Sequence, residues 1–276
     1  MADWQSGFVH ANGLRHHFTR SIDGANDKPS IVLAHGFSDD GLCWASVAEK
    51  LAATYDVVMV DARGHGRSDA PERGYGVSVQ VDDLAGVIGA LGLQHPIVLG
   101  HSMGAVTALV LAGRYPHVPR AIVLEDPPPW WVADYDAPYS AEWRTNSRAW
   151  ITGLQQQSRA ELLAAQRAAA PAWPETDLEP WVDSKLAFSL NYYQGLESPT
   201  VDWPQLLQRV QCPALLVTAD PTLGSLVTAE HAALLKSLLP QVQIAHIAEA
   251  GHSIRRDQSQ QFMAAVEAFL AQLSQP

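Results

Sequence analysis

Ser102 stands between two glycines in Gly100-His101-Ser102-Met103-Gly104, directly after the apolar run Ile97-Val98-Leu99 and before a helical pattern from Ala105 to Tyr115. A serine placed where a buried strand turns into a helix sits on so tight a turn that a side chain at either flank would clash. Glycine removes that clash. The start of the helix aims backbone N–H groups at the place where a negative oxygen forms when a hydroxyl attacks a carbonyl. G-x-S-x-G alone is a short pattern, and the strand before it and the helix after it give it weight. A serine hydroxyl is a poor nucleophile until a base within hydrogen-bond reach takes its proton. Among the eleven histidines, His252 is the candidate base, because Ala250-Gly251-His252 follows the strand-like Val242 to Ile247 and so lies in a loop. Imidazole titrates near neutrality and can take that proton and return it to a leaving group. The chemistry these two side chains imply is attack on a carbonyl through a covalent acyl intermediate.

Such residues need a rigid frame. Short apolar runs at Ile31 to Ala34, Val57 to Val60, Ile97 to Leu99, Ala121 to Leu124 and Ala214 to Val217 alternate with segments of helical spacing. Strands apolar on both faces and joined by helices predict an α/β fold with a parallel sheet covered on both sides. Ahead of them, Phe8 to His10 and Leu14 to Thr19 flank Asn12-Gly13, a pair suited to a tight hairpin turn, and the polar stretch Asp23 to Pro29 follows. Thr228 with Glu230 marks a helix start, and Phe262, Val266, Phe269, Leu270 and Leu273 form one stripe of a last helix. From Pro127 to about Gln205 no buried-strand run occurs, and this segment holds seven of the nine tryptophans and half of the prolines. That shift predicts an inserted, mostly helical subdomain over the strand ends, where ligands bind in open α/β sheets.

Composition excludes other classes. A formal charge of -11 over 276 residues argues against a nucleic-acid or anionic-membrane partner. Cys43 and Cys212 lie far apart in no metal-type spacing and read as reduced, structural residues. His16-His17 has no carboxylate at ligand spacing and there is no HExxH, so no metal is expected. Gly64-His65-Gly66 lacks the third glycine of a dinucleotide loop, Asp69 standing in its place, so no cofactor is expected either. Without a basic-plus-apolar leader or a run of about 18 apolar residues, the expectation is a soluble, cytoplasmic protein. Arg255-Arg256, beside the candidate histidine, reads as a solvated approach to a helix, with binding of an acidic substrate as the alternative, and Arg159, Glu161 and Arg167 read as the polar face of another.

Four motifs together resemble the α/β-hydrolase family over nearly the whole chain: His35-Gly36-Phe37, the run Asp61 to Asp69, the turn at Ser102, and Gly251-His252, in that family's order. The resemblance implies a mostly parallel eight-stranded sheet flanked by helices. The core would comprise residues 1–126 and 206–276, with a helical lid of residues 127–205 inserted after the sixth strand. It also implies a Ser, acid, His triad in that chain order, and an oxyanion hole from the backbone N–H groups of Phe37 and Met103. The family's acid usually follows the seventh strand, and counting from Ala214 puts Thr222 there, which cannot stabilise an imidazolium. Two carboxylates remain. Asp126, just past the sixth strand as in some family members, is favoured, and Asp220, two residues early, is the alternative. Glu125 ranks third, since strand alternation points it away from Asp126. The expected activity is hydrolysis of a carboxylic ester or lactone, with carbon–carbon bond or amide hydrolysis on the same residues as the alternative, and a slow-turnover ligand receptor as a third reading. Haloalkane dehalogenases and epoxide hydrolases are disfavoured, since they carry an aspartate where this chain has Ser102. Aromatics in the inserted segment point to a small apolar or cyclic substrate.

Overall fold

Asn12 and Gly13 take φ angles of 49° and 77° and close the hairpin between β1 (Trp4–Ala11) and β2 (Leu14–Ser21) that the sequence marks. The computed structural model describes residues 3–22, 28–133, 135, 140–196 and 201–273. Most of the polar stretch Asp23 to Pro29, and parts of the inserted segment, lie outside the described residues. Six further strands follow: β3 (Ser30–Ala34), β4 (Asp56–Val60), β5 (Ile97–His101), β6 (Ala121–Glu125), β7 (Ala214–Thr218) and β8 (Val242–His246). They form one sheet in the order β1-β2-β4-β3-β5-β6-β7-β8, antiparallel through β1, β2 and β4 and parallel from β4 onward. Every residue of β4, β5, β6 and β7 is buried, as expected of strands with helices on both faces.

Alternation along those strands divides the core in two. Val32, Val98 and Ile122 face one way, where they pack with α2 (Val77–Ala90), α3 (Met103–Arg114) and α8 (Ala229–Leu238). Ile31, Leu33, Leu99 and Val123 face the other, against α1 (Ala45–Leu51) and α10 (Ser259–Leu273), whose Phe262, Val266, Phe269 and Leu270 are buried as their spacing predicts. Thr228 caps α8 by accepting the His231 N–H at 3.2 Å.

Between β6 and β7 the chain forms α4 (Ala141–Gln155), α5 (Arg159–Ala169), α6 (Glu175–Ala187) and α7 (Trp203–Gln208). The expected boundary at 205/206 falls inside α7, whose Trp203 and Leu207 join the same core as α3. On the exposed faces of α5 and α6, Arg159 pairs with Asp183 and Glu179, and Arg167 with Glu175. The short α9 (Ile254–Asp257) leads into α10. Among the described residues no helix is long and apolar enough to cross a membrane.

Candidate active site

Ser102 follows β5 directly, with φ 50° and ψ -112°, a conformation non-glycine residues rarely take. Its N–H donates to the Glu125 carbonyl at 2.9 Å, which ties the turn to the end of β6. The flanking glycines are needed for close approach. A Cβ on Gly100 would lie 2.3 Å from the Gly104 oxygen, and one on Gly104 would lie 2.2 Å from the Ala34 oxygen. Met103 is the first residue of α3, so its N–H has no partner within the helix.

One residue past β6, Asp126 takes φ 41° and is fully buried, its N–H held by the Val217 carbonyl at 3.0 Å. The His252 Nδ1–H donates to Asp126 Oδ2 at 2.7 Å. With the proton on Nδ1, Nε2 keeps its lone pair and is the basic nitrogen. Ser102, His252, Phe37 and Met103 line one cavity of about 830 Å³. The other carboxylates are engaged elsewhere. Asp220 accepts from His246 Nε2 at 3.1 Å and from the Glu249 N–H at 2.7 Å. Glu125 accepts from the backbone N–H and Nη1 of Arg255, at 2.8 and 2.9 Å. Thr222 is exposed in the short turn Pro221–Leu223.

The loop after β3 aims the second backbone donor. His35 Nδ1–H and the Asp39 N–H both donate to the Gly36 carbonyl, at 2.8 and 3.1 Å, while the Ala62 N–H donates to His35 Nε2 at 3.0 Å. In a trans peptide the N–H lies opposite the C=O, so anchoring that carbonyl fixes the direction of the Phe37 N–H. The pattern needs a neutral ring, and burial lowers the His35 imidazole from its ordinary value. The Phe37 ring is wedged among Trp143, Phe188 and Tyr192, with centroids 5.1 to 5.3 Å away. His101 lies beneath His252, ring centroids 4.7 Å apart, and its Nε2–H donates to the His252 carbonyl at 2.9 Å. Burial, then the nearby Arg255 and His252, hold the His101 imidazole well below its ordinary range.

Arg255 and Arg256 are not solvated; both are buried, and Arg256 is among the residues that line the cavity. Their burial has an electrostatic cause. Asp39 accepts from Lys185 Nζ at 2.6 Å, Arg256 Nη2 at 3.2 Å and Arg255 Nη2 at 3.3 Å. Glu125 takes the other arm of Arg255, and Asp177 lies 4.0 Å from Arg256 Nε. The guanidinium groups stack on Trp44 and Trp173, at 4.1 and 4.6 Å. Buried charge persists only when paired in this way. Burial raises the Asp39 carboxyl, yet Arg256, Lys185 and Arg255 outweigh it and hold the group well below the usual carboxylate range. In Asp40 the balance reverses: burial, then Asp61 and Asp39, outweigh Lys185 and push its carboxyl up to about 7. Nothing in the sequence pattern reveals this cluster, because its members are scattered between positions 39 and 256. The histidines at 16 and 17 are buried beside different carboxylates, Asp83 at 3.7 Å and Asp61 at 2.8 Å.

A family profile described as the alpha/beta hydrolase fold matches residues 29–254. The chain is 31% identical to the N-formylmaleamate deformylase of Pseudomonas putida over 96% of each chain. It is 29% identical to the sn-1-specific diacylglycerol lipase of Mus musculus over 91% of this chain and 83% of that one. Among solved structures, E-2-(acetamidomethylene)succinate hydrolase superposes with a TM-score of 0.77 at 22% identity, covering 98% of this chain and 100% of the other, a likeness of fold.

Proposed function

Since the chain belongs to the α/β-hydrolase family, we propose that it cleaves a carboxylic ester or lactone through an acyl-enzyme on Ser102. His252 Nε2 takes the hydroxyl proton as Ser102 Oγ attacks the carbonyl carbon, and gives it to the leaving oxygen as the tetrahedral intermediate collapses. Asp126 holds the ring in the Nδ1–H tautomer and stabilises the imidazolium that forms. The Phe37 and Met103 N–H groups receive the negative oxygen. Water, deprotonated by the same imidazole, then releases the acid and restores the serine.

The observation that carries this reading is the 2.7 Å contact of His252 Nδ1 with Asp126 Oδ2, on a ring that shares its cavity with Ser102. The helices α4 and α6 act as the lid of that cavity, and Phe37, Trp130, Trp143, Trp150, Trp181 and Tyr192 give it aromatic walls suited to a small apolar or cyclic substrate. A second reading, cleavage of an N-acyl amide, is favoured by the full-length similarity to the deformylase. It uses the same residues and differs in the leaving atom, a nitrogen that His252 must protonate.

Purified protein assayed on an aryl ester, an aromatic lactone and an N-formyl amide separates these. Multiple turnover on the ester or lactone that is lost in Ser102→Ala supports the first reading. Turnover of the amide alone replaces it with the second, and a parental rate in Ser102→Ala refutes both.

A further inference from the structure

Ser225, Leu226 and Val227 follow β7, close to where the commonest family pattern would place the acid itself. Here the segment carries no carboxylate and instead surrounds one. The Ser225 hydroxyl donates to Asp126 Oδ1 at 2.8 Å, and its oxygen accepts the Ala219 N–H at 3.3 Å, which directs the hydroxyl proton toward Asp126. The Val227 N–H donates to the same Oδ1 at 3.0 Å, and the Leu226 N–H is shared between Oδ1 and Oδ2, at 3.1 and 2.9 Å. Oδ2 thus remains the oxygen that receives His252 Nδ1.

The plane of an aspartate carboxylate turns about a soft torsion, so only outside contacts can fix it. Three donors from consecutive residues supply those contacts, and Ser225 is the only side chain among them. Both Ser225 and Asp126 are buried. The Leu226 side chain lines the cavity, so the segment that grips the carboxylate also forms part of the substrate wall.

We propose that Ser225 is a positioning residue: its hydroxyl, with the Leu226 and Val227 N–H groups, sets the plane of the Asp126 carboxylate and thereby aims His252 Nε2 at Ser102. The proposal rests on the reading of Asp126 as the acid of the triad. A hydrogen bond to a charged group is worth enough that its loss in Ser225→Ala lowers kcat about tenfold or more. KM stays within about twofold, because the hydroxyl does not bind substrate.

The test measures kcat, KM and thermal unfolding for Ser225→Ala and Ser225→Thr, on whichever substrate the parent turns over. The same Ser225→Ala change is also made in the Asp126→Asn background. The expected result is a kcat loss in Ser225→Ala, recovery of most of it in Ser225→Thr, and no further loss in the Asp126→Asn background, where there is no carboxylate charge to orient. If Ser225→Ala does not fold, Ser225→Cys, with a weaker donor of similar size, carries the same expectation. A parental kcat in the folded variant, or an equal proportional loss in the Asp126→Asn background, overturns the positioning role alone. A parental kcat in Asp126→Asn overturns the triad assignment, and the positioning role with it.

Discussion

Glu125 and Asp126 are consecutive, both fully buried, and face opposite ways at the end of β6: Glu125 meets Arg255 at 2.9 Å, and Asp126 meets His252 at 2.7 Å. Strand alternation separates them, and the positive φ of Asp126 completes the turn toward His252. One carboxylate anchors a buried ion pair while its neighbour meets a histidine of the candidate active site.

Asp126→Asn is expected to lower kcat by about 10⁴-fold while leaving the protein folded, because the amide can impose the wrong tautomer on His252 and cannot stabilise an imidazolium. Asp220→Asn is expected to keep kcat within about twofold of the parent, since among the described residues its carboxylate binds His246 and the Glu249 N–H and does not line the cavity. Steady-state kinetics of the two variants side by side check the assignment, and the reverse ranking would transfer the role to Asp220.

Gly104→Ala tests the turn itself. The new methyl would meet the Ala34 carbonyl oxygen at 2.2 Å, a backbone atom that cannot swing aside. Denaturant unfolding should show a loss of about 3 kcal/mol or more. A stability change below about 1 kcal/mol would mean that the start of α3 can retreat from β3.

Lys185→Met keeps much of the side chain's bulk and removes one of the three cations around Asp39. A carboxylate held below its usual range adds stability that is fully present above the unfolded carboxylate range and is lost as pH falls through the folded value. The substitution raises that folded value, so acid unfolding followed by circular dichroism should set in at higher pH than in the parent. The same midpoint in both proteins would show that the two arginines suffice.

Asp40 carries the opposite sign. Its carboxyl, raised to about 7 by burial and then by Asp61 and Asp39, favours the protonated form in the fold. The unfolded chain therefore binds fewer protons between the ordinary carboxylate range and that value, and stability declines as pH rises through this window. In Asp40→Asn this contribution disappears, so the stability of the variant relative to the parent should grow from pH about 5 to pH about 8, read by urea unfolding at several pH values. A constant difference would place the proton elsewhere.

The hairpin at Asn12-Gly13, the buried strands and the stripe of α10 were legible because each is a local pattern with its own period. Ser102 and His252 were legible for a related reason: a nucleophile turn and a loop histidine after a strand leave a trace in neighbouring residues. Arg255 and Arg256 read as solvated from sequence alone, because sequence displays charge and conceals burial. The partners that make their burial tolerable, Asp39, Glu125 and Asp177, stand 79 to 217 positions away, and only the fold assembles them. Ser225 left no trace at all. A single hydroxyl in a loop has no periodicity, and its meaning depends on a carboxylate 99 positions earlier.

Lys185 reaches from α6 into the loop that holds Phe37, where its ammonium donates to the Ser38 carbonyl at 2.9 Å and to Asp39. Swinging α6 outward would strip a buried ammonium from its counter-ion, at a cost of several kcal/mol. The roof is thus riveted on its α6 side by a buried ion pair, whereas α4 is held by ring packing on Phe37 and by the Gln155 amide on the Lys185 and Phe188 carbonyls. On the α4 side, Ile151 is the one buried side chain of the helix and Trp150 stands 46% exposed among the residues that line the chamber.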